Sequence, residues 1–295
     1  MLAETFLNSF RRHLCPRLLA VFLAAGVAGP LRAASPTVDV RAAFTHDNNL
    51  NNAEADNQQQ QDTIGQLDAI LGYRKQLNEM SGVIAKAGIE TDVHANVTDI
   101  NALTLMASLA LLVQPIRGFG APWFALNGDF RWRRHKDSDI RDGTLVNVGL
   151  TAGKRLTDRI SMQIGFEFLD RNADEGRVFE LGQRIFSAVA DYRISNRSTA
   201  YFNYQYIDGG LVTTALPWMK FRGVTRAFAM DPAFGPGFVA WRLDGHVQSF
   251  RLGAKYRLAE NTGLDGGVNY SSARADNDNK WHNWRIGASL VHRFE

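Results

Sequence analysis

Two histidines that stand close to carboxylates are the residues best suited to acid–base chemistry in this sequence. His46 precedes Asp47 and Asn48, and one residue separates Asp92 from His94. Such a pair could supply a general base if a serine hydroxyl or a water lay within hydrogen-bond reach. There is no Gly-x-Ser-x-Gly elbow, no HExxH motif and no phosphate-binding glycine loop. We therefore predict no catalytic residue, and a lipid-modifying enzyme is kept as an alternative.

A short acidic segment is the sequence's best candidate for a metal site. Asp276 and Asp278, with Asn277 and Asn279, offer the oxygen ligands that calcium prefers, but the spacing of an EF-hand loop is missing. We interpret the segment as a solvated turn. No metal and no cofactor are expected.

Residues 1–34 have the order of a secretory signal peptide. Three arginines precede an apolar run from Leu18 to Ala28, and small residues follow it. The run is roughly half the ~20 residues that a helix needs to cross a bilayer. We expect cleavage between Ala28 and Ser35 and export of residues 35–295 as a single domain.

The leader would also carry the positive charge and the cysteine. Residues 1–34 hold four arginines and one glutamate, which accounts for the formal net charge of +3. The remainder is close to neutral, so we expect no nucleic-acid partner. Cys15 would be removed with the leader, which leaves the exported part without disulfides or thiol chemistry.

Beyond the leader, apolar residues recur at every second position, which is the period of a β-strand. Ile160, Met162, Ile164, Phe166 and Phe168 alternate with polar or small residues, so one face is apolar and the other polar. The same alternation occurs in ten further segments: Val38–Phe44, Leu67–Tyr73, Val83–Val93, Phe124–Trp132, Val146–Ala152, Phe186–Ile194, Ala200–Tyr206, Phe250–Leu258, Leu264–Tyr270 and Trp284–Phe294.

One further segment, Ala102–Val113, is apolar on both faces. It is too short for a membrane helix and lies between two alternating segments. We predict a strand with an apolar patch on its inner face. The total is then about twelve strands, an even number as expected for a single-chain bacterial barrel.

The connections between these segments alternate in length. Tight connections at Gln76–Glu79, Thr157–Arg159, Ser195–Arg197 and Ala259–Thr262 are separated by longer polar segments. Outer-membrane barrels show this pattern, with short periplasmic turns and longer outer loops.

The longest connection, Asp208–Gly237, is rich in aromatic and basic residues. Long ordered loops are usually functional, and we expect this one to fold over or into the mouth as a constriction or lid. The alternative is a loop packed on its own aromatics at the outer rim. The constriction candidates are Trp218, Lys220, Arg222, Arg226 and Phe228.

An apolar face turned towards lipid requires every backbone N–H and C=O to be paired, which only helices and closed sheets achieve. No long helix is available, so we predict an all-β fold: a closed antiparallel transmembrane up-and-down β-barrel of about twelve strands. A soluble β-sandwich is the alternative, but Phe, Tyr and Trp crowd the strand ends like an interfacial girdle.

Alternation then assigns the charged residues to the lumen, because an Arg or Lys facing lipid near the midplane would cost about 2–4 kcal/mol. These charges either brace the wall or line a pore. The lumen-lining candidates are Arg41, Asp68, Arg74, Lys86, Glu90, Asp129, Arg131, Arg155, Glu167, Arg184, Asp191, Arg251, Lys255, Asp265 and Arg285.

The chain resembles the broad class of Gram-negative outer-membrane β-barrels, including its final segment Trp284–Phe294. In that class a terminal aromatic residue is the signal read by the barrel-assembly machinery. Phe294 matches it, although Glu295 follows. The resemblance implies location in the outer membrane, with outer-membrane lipid, lipopolysaccharide and the barrel-assembly machinery as partners.

Three functions are compatible with such a barrel. The first is a narrow porin-like channel for small solutes, which a modest basic excess in the lumen would bias towards anions; barrels of similar strand number in the class pass acidic oligosaccharides. The second is a non-conducting barrel that acts as a scaffold or partner of an exported complex. The third is the lipid-modifying enzyme.

Overall fold

The computed structural model describes residues 36–217, 221 and 223–294, without the side chain of Asn277. The predicted leader lies outside them. Within the described part, no helix is long and apolar enough to cross a membrane. The strands are β1 Thr37–Asp47, β2 Asp62–Asn78, β3 Ser81–His94, β4 Ala102–Val113, β5 Trp123–His135, β6 Gly143–Arg155, β7 Ile160–Ala173, β8 Leu181–Arg193, β9 Ser198–Ala215, β10 Ala227–Met230, β11 Val239–Ala259, β12 Thr262–Ala275 and β13 Lys280–Phe294.

Twelve of these strands form a closed antiparallel barrel, which confirms the predicted fold. Neighbours in sequence pair with one another, and β1 pairs with β13 from Val38 opposite Phe294 to Asp47 opposite Arg285. The strand β11 pairs with β9 on one side and β12 on the other. The short β10 pairs only with the first residues of β11 and stands outside the ring. Closure removes the free edges of the sheet.

Apolar side chains occupy the outer face of the wall. Phe44, Leu126 and Leu150 are 68%, 50% and 62% exposed. By contrast, Asp68 and Glu90, which both face the interior, are 2% and 7% exposed. A polar interior inside an apolar outer band is the arrangement that a lipid environment requires. The doubly apolar segment Ala102–Val113 is β4, so its prediction as a strand is confirmed.

Aromatic rings mark two levels on the outer face. Tyr73 and Tyr256 lie near the short turns, while Trp132, Tyr270 and Trp284 lie nearer the long connections. Tyr270 packs on Trp284 with ring centroids 4.6 Å apart. Such rings prefer the boundary between hydrocarbon and water.

The long connections pack against one another across one end of the barrel. Three clusters of buried apolar residues lie at this end, built around Trp241 of β11, Phe234 and Val178. We call the segments 48–61, 95–101, 136–142, 174–180 and 216–238, where described, the cap. The end with the cap is the loop end, and the opposite end, with the tight connections, is the turn end.

Candidate functional site: a capped cavity in the barrel

A buried ion pair joins two parts of the cap. Arg141 in the β5–β6 connection donates from Nη1 and Nη2 to the two carboxylate oxygens of Asp231, at 2.6 and 2.5 Å. Asp231 is fully buried and also accepts a hydrogen bond of 2.9 Å from Thr214 Oγ1. This fork-to-fork geometry fixes both distance and orientation. It attaches the β10–β11 connection to a segment 90 residues away.

An apolar cluster joins three further parts of the cap. Val97, Ile100 and Phe234 are 5–7% exposed, and Leu50 and Phe238 pack against them. Gln60 reinforces the contact by donating a hydrogen bond of 2.6 Å to the carbonyl oxygen of Phe234. The three connections that supply these residues therefore meet at this cluster.

Buried carboxylates fix the chain where strands meet the cap. Asp62 at the start of β2 accepts hydrogen bonds from the backbone N–H groups of Thr63, Asn96 and Val97 at 2.7, 2.9 and 3.1 Å. The ring Nδ1 of His94 lies 3.2 Å from the same carboxylate. Asp62 thus ties two connections together.

A similar arrangement occurs between β5 and β6. Asp142 accepts hydrogen bonds from the backbone N–H of His135 at 2.6 Å and from Arg134 at 3.0 Å. Burial would raise the pKa of the Asp142 carboxyl, but these bonds and that to the His135 ring hold the pKa below its usual value. The carboxylate therefore stays ionised at neutral pH.

A cavity of about 940 Å³ lies beneath the cap, inside the wall. Leu50, Ile100, Phe179, Phe234 and Trp281 line it at the level of the cap. Amide and hydroxyl side chains line the wall further down, including Gln205, Ser249, Asn269 and Ser271. The cavity thus combines an apolar roof with a polar wall.

Charged residues in this cavity are mainly arginines. Arg133, Arg141, Arg171, Arg251 and Arg285 line it, against the carboxylates of Asp47 and Asp92. Arg251 and Arg285 are among the lumen candidates from the sequence. Arg251 pairs with Asp265 at 2.9 Å and Arg285 pairs with Asp47 at 2.7 Å.

Other candidates form pairs in the lumen wall. Arg41 donates to Asp68 at 2.5 Å, and Glu167 accepts a hydrogen bond of 2.6 Å from Asn147. Asp265 also accepts a hydrogen bond of 2.8 Å from the Tyr201 hydroxyl. The Lys255 ammonium lies 5.1 Å from the centroid of the Tyr201 ring. These contacts cross-brace strands of the wall, and the Tyr201–Asp265 bond spans from β9 to β12 across β11.

The strand register shows which face of the wall the remaining lumen candidates occupy, since directly opposed residues of a sheet share a face. Glu90 stands opposite Asp68, and Lys86 and Asp129 both stand opposite Ser108. Arg155 lies with its guanidinium 5.5 Å from the Phe119 ring, in the β4–β5 connection. By the same alternation, inward-facing positions on β2, β5 and β8 are occupied by Arg74, Arg131 and Asp191.

The assignment of Arg184 to the lumen needs correction. Arg184 stands opposite Phe168, which is 46% exposed on the outer face, while its neighbour Gln183 lines the cavity. Its guanidinium lies 3.8 Å from Asp208, and both side chains are exposed. Alternation on β8 that starts from the outward Phe186 gives this result directly.

The connection after β9 starts later than the sequence suggests. The strand runs on to Ala215, so Asp208–Ala215 is wall and not loop. Among the constriction candidates, Arg226 pairs with Asp244 at 2.8 Å, and Phe228 is 66% exposed against Trp241. Neither lines the cavity. Trp218, Lys220 and Arg222 lie outside the described residues.

The two histidine candidates for acid–base chemistry are separated by the wall. His46 is exposed on the outer face, with its ring nitrogen 3.2 Å from Thr63 Oγ1. His94 is buried beside Asp62. Asp92 instead pairs with Arg133 and accepts a hydrogen bond of 2.7 Å from Gln66. The described residues contain no group of acidic, His or Cys side chains that could hold a metal ion.

The solved structures similar to this chain are membrane barrels. An outer membrane channel from Pseudomonas putida F1 matches with a TM-score of 0.59 at 9% identity, over 91% of this chain and 98% of that chain. The fold is that of an outer-membrane β-barrel.

Two porins match with lower scores. The KdgM porin in complex with disordered oligogalacturonate has a TM-score of 0.41 at 9% identity, over 88% of this chain and 99% of that one. The NanC porin has a TM-score of 0.40 at 11% identity, over 85% and 98%. No protein-family model matches the chain, and no curated protein is similar to it.

Several residues of the cavity escaped the sequence reasoning. Arg171 lies on β7 beyond the alternating residues Ile160 to Phe168, and continued alternation from Phe168 points it inward. Arg141 and Asp231 lie in connections, where no period relates one residue to another. Their pairing is a tertiary contact that a single sequence does not signal.

Proposed function

We propose that the protein is a narrow passive channel of the outer membrane for small solutes, with a preference for anions. The observation that carries the proposal is the cavity of about 940 Å³ inside the closed wall, lined by five arginines and two carboxylates. A polar space enclosed by a lipid-facing barrel is suited to holding water and solutes. Charged lumen residues tune selectivity in such pores.

The cap restricts this channel at the loop end. Phe234, Ile100 and the Arg141–Asp231 pair lie between the cavity and the outer solution. We therefore expect small unitary currents and a strong size limit. The same packing favours the second candidate, a non-conducting scaffold, if the cap never opens.

Conductance in planar lipid bilayers tests the proposal on the purified, refolded full chain. We expect discrete current steps and a reversal potential shifted towards that of chloride in a potassium chloride gradient. Absence of steps both in the wild type and in a variant with an opened cap, Asp231→Ala, would remove the channel and leave the scaffold.

Two arginines provide a matched comparison for selectivity. Arg251 lines the cavity, whereas Arg184 is exposed on the outer face. Arg251→Gln should lower anion preference, because it removes a positive charge from the lumen. Arg184→Gln removes the same charge outside and should leave the reversal potential unchanged. Equal shifts in both variants would contradict a selectivity set by the lumen.

A further inference from the structure

One cavity arginine forms no ion pair in the part of the chain that the structure describes. Four of the five arginines lining the cavity are ion-paired: Arg133 with Asp92, Arg141 with Asp231, Arg251 with Asp265 and Arg285 with Asp47. The fifth, Arg171, forms no ion pair with any carboxylate of the described residues.

Arg171 is nevertheless held in place. Its Nη2 donates a hydrogen bond of 2.7 Å to the carbonyl oxygen of Arg141, and its guanidinium lies 5.1 Å from the centroid of the Phe179 ring. The guanidinium of Arg141 lies 4.8 Å from the same ring. A guanidinium has five N–H donors, so this contact leaves donors for a ligand. The side chain is a positioned cation without a described carboxylate in ion-pair contact.

Apolar side chains line the cavity that Arg171 enters, and the Phe179 ring lies against its guanidinium. Phe179, Leu181 and Phe234 line the cavity, as do Ile100 and Trp281. Binding sites for small molecules combine such apolar walls with a few fixed polar groups that orient the ligand. A planar guanidinium matches a carboxylate through two parallel hydrogen bonds.

We propose that Arg171 binds the carboxylate of a small monocarboxylate whose apolar body, an aromatic ring or short hydrocarbon, packs against Phe179 and Phe234. A single guanidinium without an ion-pair partner fits a monoanion, and the apolar roof disfavours a fully hydrated ion such as chloride or a free sugar acid. The inference deepens the proposed channel and rests on that function for its physiological role, since the site would then lie on the solute path.

Calorimetric titration of the purified full chain in detergent tests the site with benzoate, against a blank titration into micelles. Acetate tests the apolar body, and benzyl alcohol tests the charge. We expect benzoate to bind about tenfold or more tightly than either, because each lacks one of the two interactions. Equal affinity for benzoate and benzyl alcohol would overturn the proposal.

Variants locate the site within the cavity. Arg171→Gln should weaken benzoate binding by about tenfold to a hundredfold, the range for losing hydrogen bonds to a charged group. Arg251→Gln removes an equal charge from the same cavity and should change the affinity by less than about threefold, because the Arg251 guanidinium is bonded to Asp265 and does not contact the ligand. Equal loss in both would mean a general effect of charge and would refute the assignment.

Folding of each variant is checked by the heat-dependent shift of the barrel in gel electrophoresis. Arg171→Lys keeps the charge without the planar fork and should bind with intermediate affinity. Binding is measured without any current, so the two proposals fail separately. Benzoate binding in a protein that shows no conductance would remove the channel alone, and conductance without benzoate binding would remove this site alone.

Discussion

The loop end and the turn end of the barrel are held together by contacts of different range. At the turn end, Thr157 Oγ1 accepts from the N–H of Ile160, and Ser195 Oγ accepts from that of Ser198, three residues away in each case. At the loop end, Asn283 donates to Asp47 across 236 residues and Arg141 pairs with Asp231 across 90. The turns close locally, whereas the cap is a small tertiary core built on the barrel.

This difference predicts where substitutions will act. A residue of the cap has partners from several connections, so its loss should loosen segments distant in sequence. A residue of the turn end has neighbours within its own hairpin or surface partners in water.

Asp231→Ala should open the cap. It leaves the Arg141 guanidinium buried without its counter-charge, and breaking one side of a buried pair costs about 3–5 kcal/mol. We expect faster proteolysis within residues 216–238 and larger unitary currents. Asp244→Ala is the control, because Asp244 pairs with the exposed Arg226. Unchanged cleavage and conductance in the first variant would show that the pair does not hold the cap.

Phe234→Ala should loosen the apolar cluster of the cap, with a local cost of about 3–5 kcal/mol for a truncated buried ring. Faster backbone hydrogen exchange at 95–101, whose Val97 and Ile100 pack on this ring, would report it. Phe228→Ala is the matched control, since this ring belongs to the same connection and is 66% exposed. Similar exchange in the two variants would argue against a packed core above the cavity.

Acid should weaken the cap through Asp142. Because the folded pKa of this carboxyl lies below its usual value of 3.8, its stabilising contribution is complete above that value and is lost as pH falls through the folded pKa. Protection of the backbone amides at 136–142 against hydrogen exchange, relative to the unfolded chain at the same pH, should therefore fall below about pH 4. Asp142→Asn should abolish this acid step, whereas Asp137→Asn, at an exposed carboxylate of the same connection, should retain it.

Glu79→Gln should have the smallest effect. Glu79 pairs with Arg117 at the turn end, where both side chains are largely exposed, and such pairs contribute about 0–1 kcal/mol. Proteolysis of the cap and conductance should match the wild type. A clear change in either would mean that the two ends of the barrel are coupled.

Much of the barrel could be predicted from single residues and their period. Phe166 and Phe168 alternate with Gly165 and Glu167, and the strand β7 follows this alternation. The same period placed both Arg41 and Asp68 in the lumen, because charge is excluded from lipid. It did not show that the two side chains pair. Strict alternation from Phe186 turns Arg184 outward, and alternation from Phe168 turns Arg171 inward. The sequence therefore already contained the information that assigns these two arginines to a face.

The strand count and the inside–outside alternation follow from the sequence by itself, because lipid imposes on every spanning segment the same rule of apolar outside and polar inside. The packing of the cap could not be predicted in this way. Asp231 and Phe234 lie in connections that have no repeating period, and their partners come from segments far apart in the chain. Such contacts form because buried charge must be paired and apolar rings must leave water, conditions that many pairings could satisfy and one fold selects.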